Sequence, residues 1–396
     1  MVVNEKSLLV FLFLVLGLVL SQCLPVWLGE AFLTAEKVAK TLMFVCLAFI
    51  MINVGREFEL DKTKWRSYAA DYFIAMATAA VPWIMVAFYY MFLLPADLFG
   101  NWDAWKENLL LSRFAAPTSA GILFTMLAAA GLRREWIYKK TQVLAIFDDL
   151  DTILLMIPLQ IFMIGFKWQL FAVVIVITFL LVIGWKKLGT IRLSQTWKSI
   201  LFYAVCIVAV TESIYLLTKW MMGADGAIHI EVLLPAFVLG MVMKTVHQHG
   251  NRDEKITGMI SYLFMFLVGL STPQFIGIDH GHRITEAVGI IAAQPMPSWE
   301  VLVVHVIVVT LLSNLGKMFP LFFYRDRQLE ERLALSVGMF TRGEVGAGII
   351  VIAMGYNLGG PALIISVLSL VLNLLLTGGF VVIVKRLAQQ AYGLKE

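Results

Sequence analysis

The feature that most constrains this chain is the regular recurrence of long apolar runs. Twelve qualify, at about 8–28, 36–56, 68–94, 107–130, 137–166, 168–186, 197–218, 229–246, 256–275, 299–324, 330–356 and 361–385. About 20 helical residues cross a bilayer core of about 30 Å, so each run has the length of one span. The connections between them are too short to form a separate domain. Only 15% of the 396 residues are charged, too few to coat a water-soluble surface. That excludes a cytosolic enzyme, a nucleic-acid binder and a disordered chain. The expectation is an all-α polytopic membrane protein of about 12 transmembrane helices, forming a single integral membrane domain with lipid as its surroundings.

The remaining small signals agree. Cys23, Cys46 and Cys206 sit in or beside apolar runs without CxxC or metal-ligand spacing, so they read as small buried side chains. Lys6 and the run after it resemble a leader, and Leu20-Ser21-Gln22-Cys23 brushes against a lipoprotein cleavage box. Gln22 stands where that box wants a small residue, so 8–28 reads as the first span. Lys and Arg then sort by side. Of the 31, 22 fall on the side of the N-terminus and the even-to-odd loops, 6 on the other side, and 3 within spans. This asymmetry predicts an inner-membrane protein with both termini in the cytoplasm.

The charges within spans are expensive in hydrocarbon, and each marks a candidate functional position. Span 5 carries three acids in Phe147-Asp148-Asp149-Leu150-Asp151. Asp148 and Asp149 project about 100° apart on a helix, while Asp151 shares the face of Asp148. Two turns of mostly apolar helix separate them from Lys139 and Lys140 at the interface, which argues against acids in water at a helix end. For Asp151 two readings stand side by side: lining an aqueous cavity, or a direct role. Span 10 carries Lys317, about two turns before Arg325 and Arg327, too deep for easy snorkelling. A buried lysine needs a carboxylate, and Asp148 is the favoured partner.

Spans 4 and 11 are poor continuous helices. Span 4 contains Ala116-Pro117-Thr118-Ser119, where proline removes a donor and opposes the helix before it. Span 11 contains Thr341-Arg342-Gly343-Glu344-Val345-Gly346, with two opposite charges among its glycines. Close packing through small residues accounts for the glycines but not for the charges or for Pro117. The two spans are seven apart, so they run in opposite directions. Spans 3–5 and 10–12 then form inverted repeats whose broken middle helices cross, the arrangement that marks a transporter site near the midplane.

Here the sequence resembles the monovalent cation:proton antiporters, in the branch with two adjacent aspartates, typified by bacterial sodium/proton antiporters. Asp148-Asp149 match the aspartate pair, Pro117-Thr118-Ser119 the unwound fourth helix, Lys317 the paired lysine, and Thr341-Arg342-Gly343-Glu344-Val345 the eleventh-helix crossover. Leu234-Pro235-Ala236 and Phe264-Met265-Phe266 resemble the eighth and ninth helices. Relatives often carry an aspartate where this chain has Ala116, and Asp151 is an extra acid. The resemblance implies exchange of sodium or lithium for protons by alternating access, with sodium held transiently by Asp149 and Asp148. It implies that Asp149 is the carrier, that Asp148 pairs with Lys317, and that loss of the lysine proton makes exchange electrogenic. Thr118 and Ser119 become candidate oxygen ligands, while Arg342 and Glu344 neutralise each other at the crossover. It further implies a homodimer, an ion-binding core at about 66–166 and 298–386, and a scaffold at about 8–56 and 197–275. No cofactor and no nucleotide-binding domain are expected. Rival readings are potassium/proton exchange, a sodium-coupled organic anion symporter, and an intramembrane aspartyl protease. The protease needs aspartates on two facing helices, whereas these are neighbours on one.

Overall fold

A computed structural model describes residues 5–28, 31–56, 65–119, 135–164, 189–222, 232–244, 251–272, 289–356 and 358–392, together with residues 127, 132, 175, 179–180, 182–184 and 186–187. Among these residues the structure is helical, and its only extended pairing is an isolated bridge between Ile191 and Met243. We number the helices α1 (Glu5–Leu28), α2 (Ala31–Arg56), α3 (Trp65–Phe92), α4 (Trp102–Ser112), α5 (Trp136–Ile164) and α6 (Trp197–Met222). They continue as α7 (Leu233–Val242), α8 (Asn251–Leu270), α9 (Trp299–Gly316), α10 (Leu329–Gly338), α11 (Glu344–Gly355) and α12 (Gly360–Tyr392). Expected span 6, at 168–186, lies mostly outside the described residues, as does the part of span 4 beyond Ser119.

Among the described residues, five stretches are long and apolar enough to cross a membrane by themselves: Lys37–Arg56, Ala69–Phe92, Trp197–Trp220, Trp299–Phe322 and Gly360–Tyr392. A helix suits this setting because it bonds its own backbone groups where no water can. The short helices have reasons to be short. α4 starts at Asn101, whose side chain accepts the Asp103 backbone N–H at 2.8 Å. It stops where Pro117 approaches. α10 begins on a reciprocal cap between Gln328 and Glu331 and ends at the glycine-rich crossover before α11.

Two helix pairs outside the broken region pack backbone against backbone. On α1 and α8, a Cβ added at Gly17 would lie 2.0 Å from the Phe266 carbonyl oxygen, and one at Gly269 would lie 2.2 Å from that of Leu14. On α2 and α7, a Cβ at Gly55 would meet the Phe237 carbonyl at 2.1 Å and one at Gly240 that of Ile52 at 2.2 Å. Each crossing is reciprocal, and only glycine fits it. An inversion that carries each span to the one seven later turns the first pair into the second. The inverted repeat read from spans 4 and 11 therefore extends to the helices around them.

Candidate functional site

The site begins where two helices stop. α4 ends at Ser112 with Arg113 as its C-cap, and the chain passes through a short 3-10 turn into Pro117-Thr118-Ser119, which is not helical. α10 ends at Gly338 and runs through Thr341, Arg342 and Gly343 into α11. These two unwound stretches cross. The Ser119 backbone N–H donates to the Thr341 carbonyl at 2.9 Å, and the Thr341 hydroxyl donates to the Ser119 carbonyl at 3.4 Å. The Thr118 hydroxyl donates to the Met339 carbonyl at 3.1 Å. Gly343 is required by proximity, since a Cβ there would lie 2.5 Å from the Ser119 hydroxyl oxygen. Backbone without helical bonds is tolerated at this depth because each strand serves the other and protein encloses both.

Span 5 is α5, continuous through the acids. Asp148, Asp149 and Asp151 are 0%, 1% and 2% exposed. Lys317, also 0% exposed, is the C-cap of α9, and its Nζ donates to both Asp148 oxygens, at 2.9 and 2.8 Å. Its position is fixed from the residue before. Gly316 lies so close to α3 that an added Cβ would stand 2.5 Å from the Pro82 Cα. A charge pair in this interior holds only when geometry and hydrogen bonds are good, and this one has both oxygens engaged.

Asp151 has a partner of its own. Arg113 Nη2 donates to the Asp151 backbone carbonyl at 3.0 Å and to its Oδ2 at 3.3 Å. The guanidinium carbon stands 4.4 Å from the centroid of the Trp83 ring, and the Trp83 indole donates to the Leu109 carbonyl at 2.7 Å. Arg342 is buried as well, and it donates to the Met339 and Ser313 carbonyls, each at 3.2 Å. It thus ties the crossover to α9. The expected pairing of Arg342 with Glu344 falls on a side chain outside the described residues.

Sequence reading missed several groups here. Arg113 counted only as a charge inside a span; charge balance, with Asp151 left over after Asp148 took Lys317, was the signal that would have paired them. Asp71 on α3 went unnoticed, yet Lys140 donates to both its oxygens at 2.8 and 2.9 Å and the Tyr324 hydroxyl donates at 2.9 Å. This cluster joins α3, α5 and the α9–α10 connection at one end of the bundle. Along α12, Ser366, Ser369 and Asn373 form one stripe; they bond Tyr90, Thr310 and Asn314 at 2.7, 2.9 and 2.9 Å. The stripe runs from a cavity of about 440 Å³, bordered by Tyr90, Asn108 and His305, towards Lys317.

The geometry now has a place among known proteins. The sequence profile of the family described as sodium/hydrogen exchanger, transmembrane, matches residues 9–386. The chain belongs to this family. A solved structure of the sodium proton antiporter MjNhaP1 from Methanocaldococcus jannaschii at pH 8 matches with a TM-score of 0.56 and 12% identity, over 97% of this chain and 92% of that one. An electron-microscopy structure of the same antiporter matches with a TM-score of 0.51 and 13% identity, over 97% and 92% of the two chains. No curated protein sequence gives a significant match. At such identity the structural likeness speaks for the fold alone. With the family it makes this exchanger an all-α polytopic membrane protein and a cation/proton antiporter.

Proposed function

We propose that this exchanger trades sodium or lithium for protons across the cytoplasmic membrane by alternating access, with net movement of charge. The observation that carries the reading is the buried Asp148–Lys317 ion pair beside Asp149, at the crossing of two broken helices. A buried carboxylate in its charged form needs a counter-charge, and either a proton or a metal cation supplies one. Asp149 is the carrier in this reading, so the two ions compete for one group, and competition with alternating access is sufficient for exchange. A cation entering also draws on Asp148 and releases Lys317, whose ammonium then gives up its proton. Two protons then leave for each sodium, which makes transport sensitive to voltage. Thr118 and Ser119, held at the crossing, offer oxygen atoms of the kind that hard cations prefer.

The same reading assigns 66–166 and 298–386 to a moving core and 8–56 and 197–275 to a scaffold. Its support is the contrast between the polar crossing in the first and the glycine-seated helix pairs in the second. We place both termini in the cytoplasm from the distribution of Lys and Arg, and we take the working unit to be a homodimer by resemblance.

The test is exchange in proteoliposomes at a clamped membrane potential, with lithium, sodium and potassium offered in turn. Sodium-dependent proton flux that responds to the clamp is the expected result. Flux with potassium alone, or flux indifferent to voltage, sinks the corresponding part.

A further inference from the structure

Asp151 and Arg113 stand next to the ion site without a part in the mechanism above, and the inference drawn from them rests on that mechanism. Asp151 lies on α5 two residues beyond Asp149 and one turn beyond Asp148. Its carboxylate and its backbone carbonyl are both taken by Arg113 Nη2. Arg113 is the residue at which α4 stops, four residues before the unwound stretch begins at Pro117. Its guanidinium faces the Trp83 ring, and the adjacent Pro82 receives Gly316 of α9. One short segment of α3 therefore seats both buried pairs, Lys317–Asp148 through Pro82 and Arg113–Asp151 through Trp83. The buried charged groups gathered around the α5 acids are Lys317 from the end of α9, Arg113 from the end of α4, and Arg342 from the crossover.

We propose that Arg113 and Asp151 form a permanent buried ion pair that positions the unwound stretch of span 4 against α5 and sets the charge balance under which Asp149 binds its cation. Asp151 is then a positioning residue and not a second carrier. Its carboxylate is spoken for by a guanidinium that keeps its charge throughout the working pH range. The bond to the backbone carbonyl adds a second tether that a mobile ligand group would lack.

The pair makes a prediction about sign. A unit charge within about 10 Å, at an effective dielectric of about 20, changes the affinity for a cation by roughly tenfold. Asp151→Asn leaves Arg113 as an uncompensated positive charge and weakens sodium binding. Arg113→Gln leaves Asp151 as an uncompensated negative charge and strengthens it. The double variant restores neutrality.

Sodium KM is measured in proteoliposomes at alkaline pH, where proton competition is least. The expected result is a KM about tenfold higher for Asp151→Asn, lower by a similar factor for Arg113→Gln, and within about twofold of the parent for the double variant. Shifts in the same direction, a double variant that fails to restore KM, or complete loss of exchange in Asp151→Asn would each overturn the proposal. If Arg113→Gln does not yield folded protein, Asp151→Glu takes its place: the parent KM supports the pair, and a tenfold change refutes it. Asp149→Asn is assayed alongside. Retained exchange in that variant overturns the carrier reading, while the KM pattern judges the pair.

Discussion

Two kinds of close backbone approach hold this exchanger together, and they work in opposite ways. In the pairs α1–α8 and α2–α7, glycines let helices touch without breaking either of them. At the crossing of the two broken spans, the helices have come apart and their backbone groups bond across the gap, Ser119 to Thr341 and Thr118 to Met339. The first arrangement is inert and defines a rigid surface. The second leaves oxygens and charged side chains in an apolar interior. What distinguishes the regions is where the backbone hydrogen bonds go.

The comparison is broken most directly by a side chain placed in a glycine seat. Gly240→Leu drives a side chain into the Ile52 carbonyl, and backbone is not free to retreat. We expect no monodisperse protein after detergent extraction; normal yield and melting would remove the claim of rigidity. The same logic predicts the reverse at the site. Asp149→Asn is close to isosteric, so folded protein is recovered while sodium-driven proton flux in inverted vesicles falls to background. Full flux would end the carrier role.

A smaller effect sharpens the contrast within the core. Lys317→Ala leaves Asp148 buried without its counter-ion, a loss of about 3–5 kcal/mol if the carboxylate stays charged. Protonation of Asp148 relieves that cost, so the protein is expected to melt lower yet persist. Any exchange that remains should no longer respond to voltage, and unchanged charge transfer would refute the lysine as a proton site. The smallest effect lies at the end of the bundle. Tyr324 stands beyond the helical stretch that ends at Phe322, and burial together with the adjacent Asp71 pushes its phenol well above the usual tyrosine value. A raised pKa means that this hydrogen bond contributes stability below the unfolded tyrosine value and loses it only as pH climbs through the folded one. Ultraviolet titration of Tyr324→Phe beside the parent should show one fewer phenol among those still protonated when ordinary tyrosines have ionised. Tyr324→Phe should cost about 1 kcal/mol, since Lys140 still neutralises Asp71.

Much of this architecture was legible because membranes punish exceptions. An apolar run must be a helix, so Asp148, Asp149, Lys317, Pro117 and the glycines after Thr341 stood out against a uniform background. The seven-span offset between the broken helices then gave the inverted repeat. What sequence could not show was partnership across long separations. Arg113 and Asp151 are 38 residues apart, and Lys140 and Asp71 are 69 apart. Lys140 looked like an interfacial charge because hydropathy reports depth and not neighbours. The reciprocal glycine seats were hidden for the same reason: Gly17 and Gly240 are ordinary residues until their partners are known.

The two buried cations that form ion pairs with α5 acids occupy the same kind of place. Arg113 caps the C-terminus of α4 and Lys317 caps the C-terminus of α9. Such a terminus is the negative end of the helix dipole, equivalent to about half a negative elementary charge. Each cation therefore has a standing attraction from the main chain that no ion can displace. Truncating a helix is thus a way of writing a fixed fractional charge into the backbone, and point mutation of a side chain does not erase it.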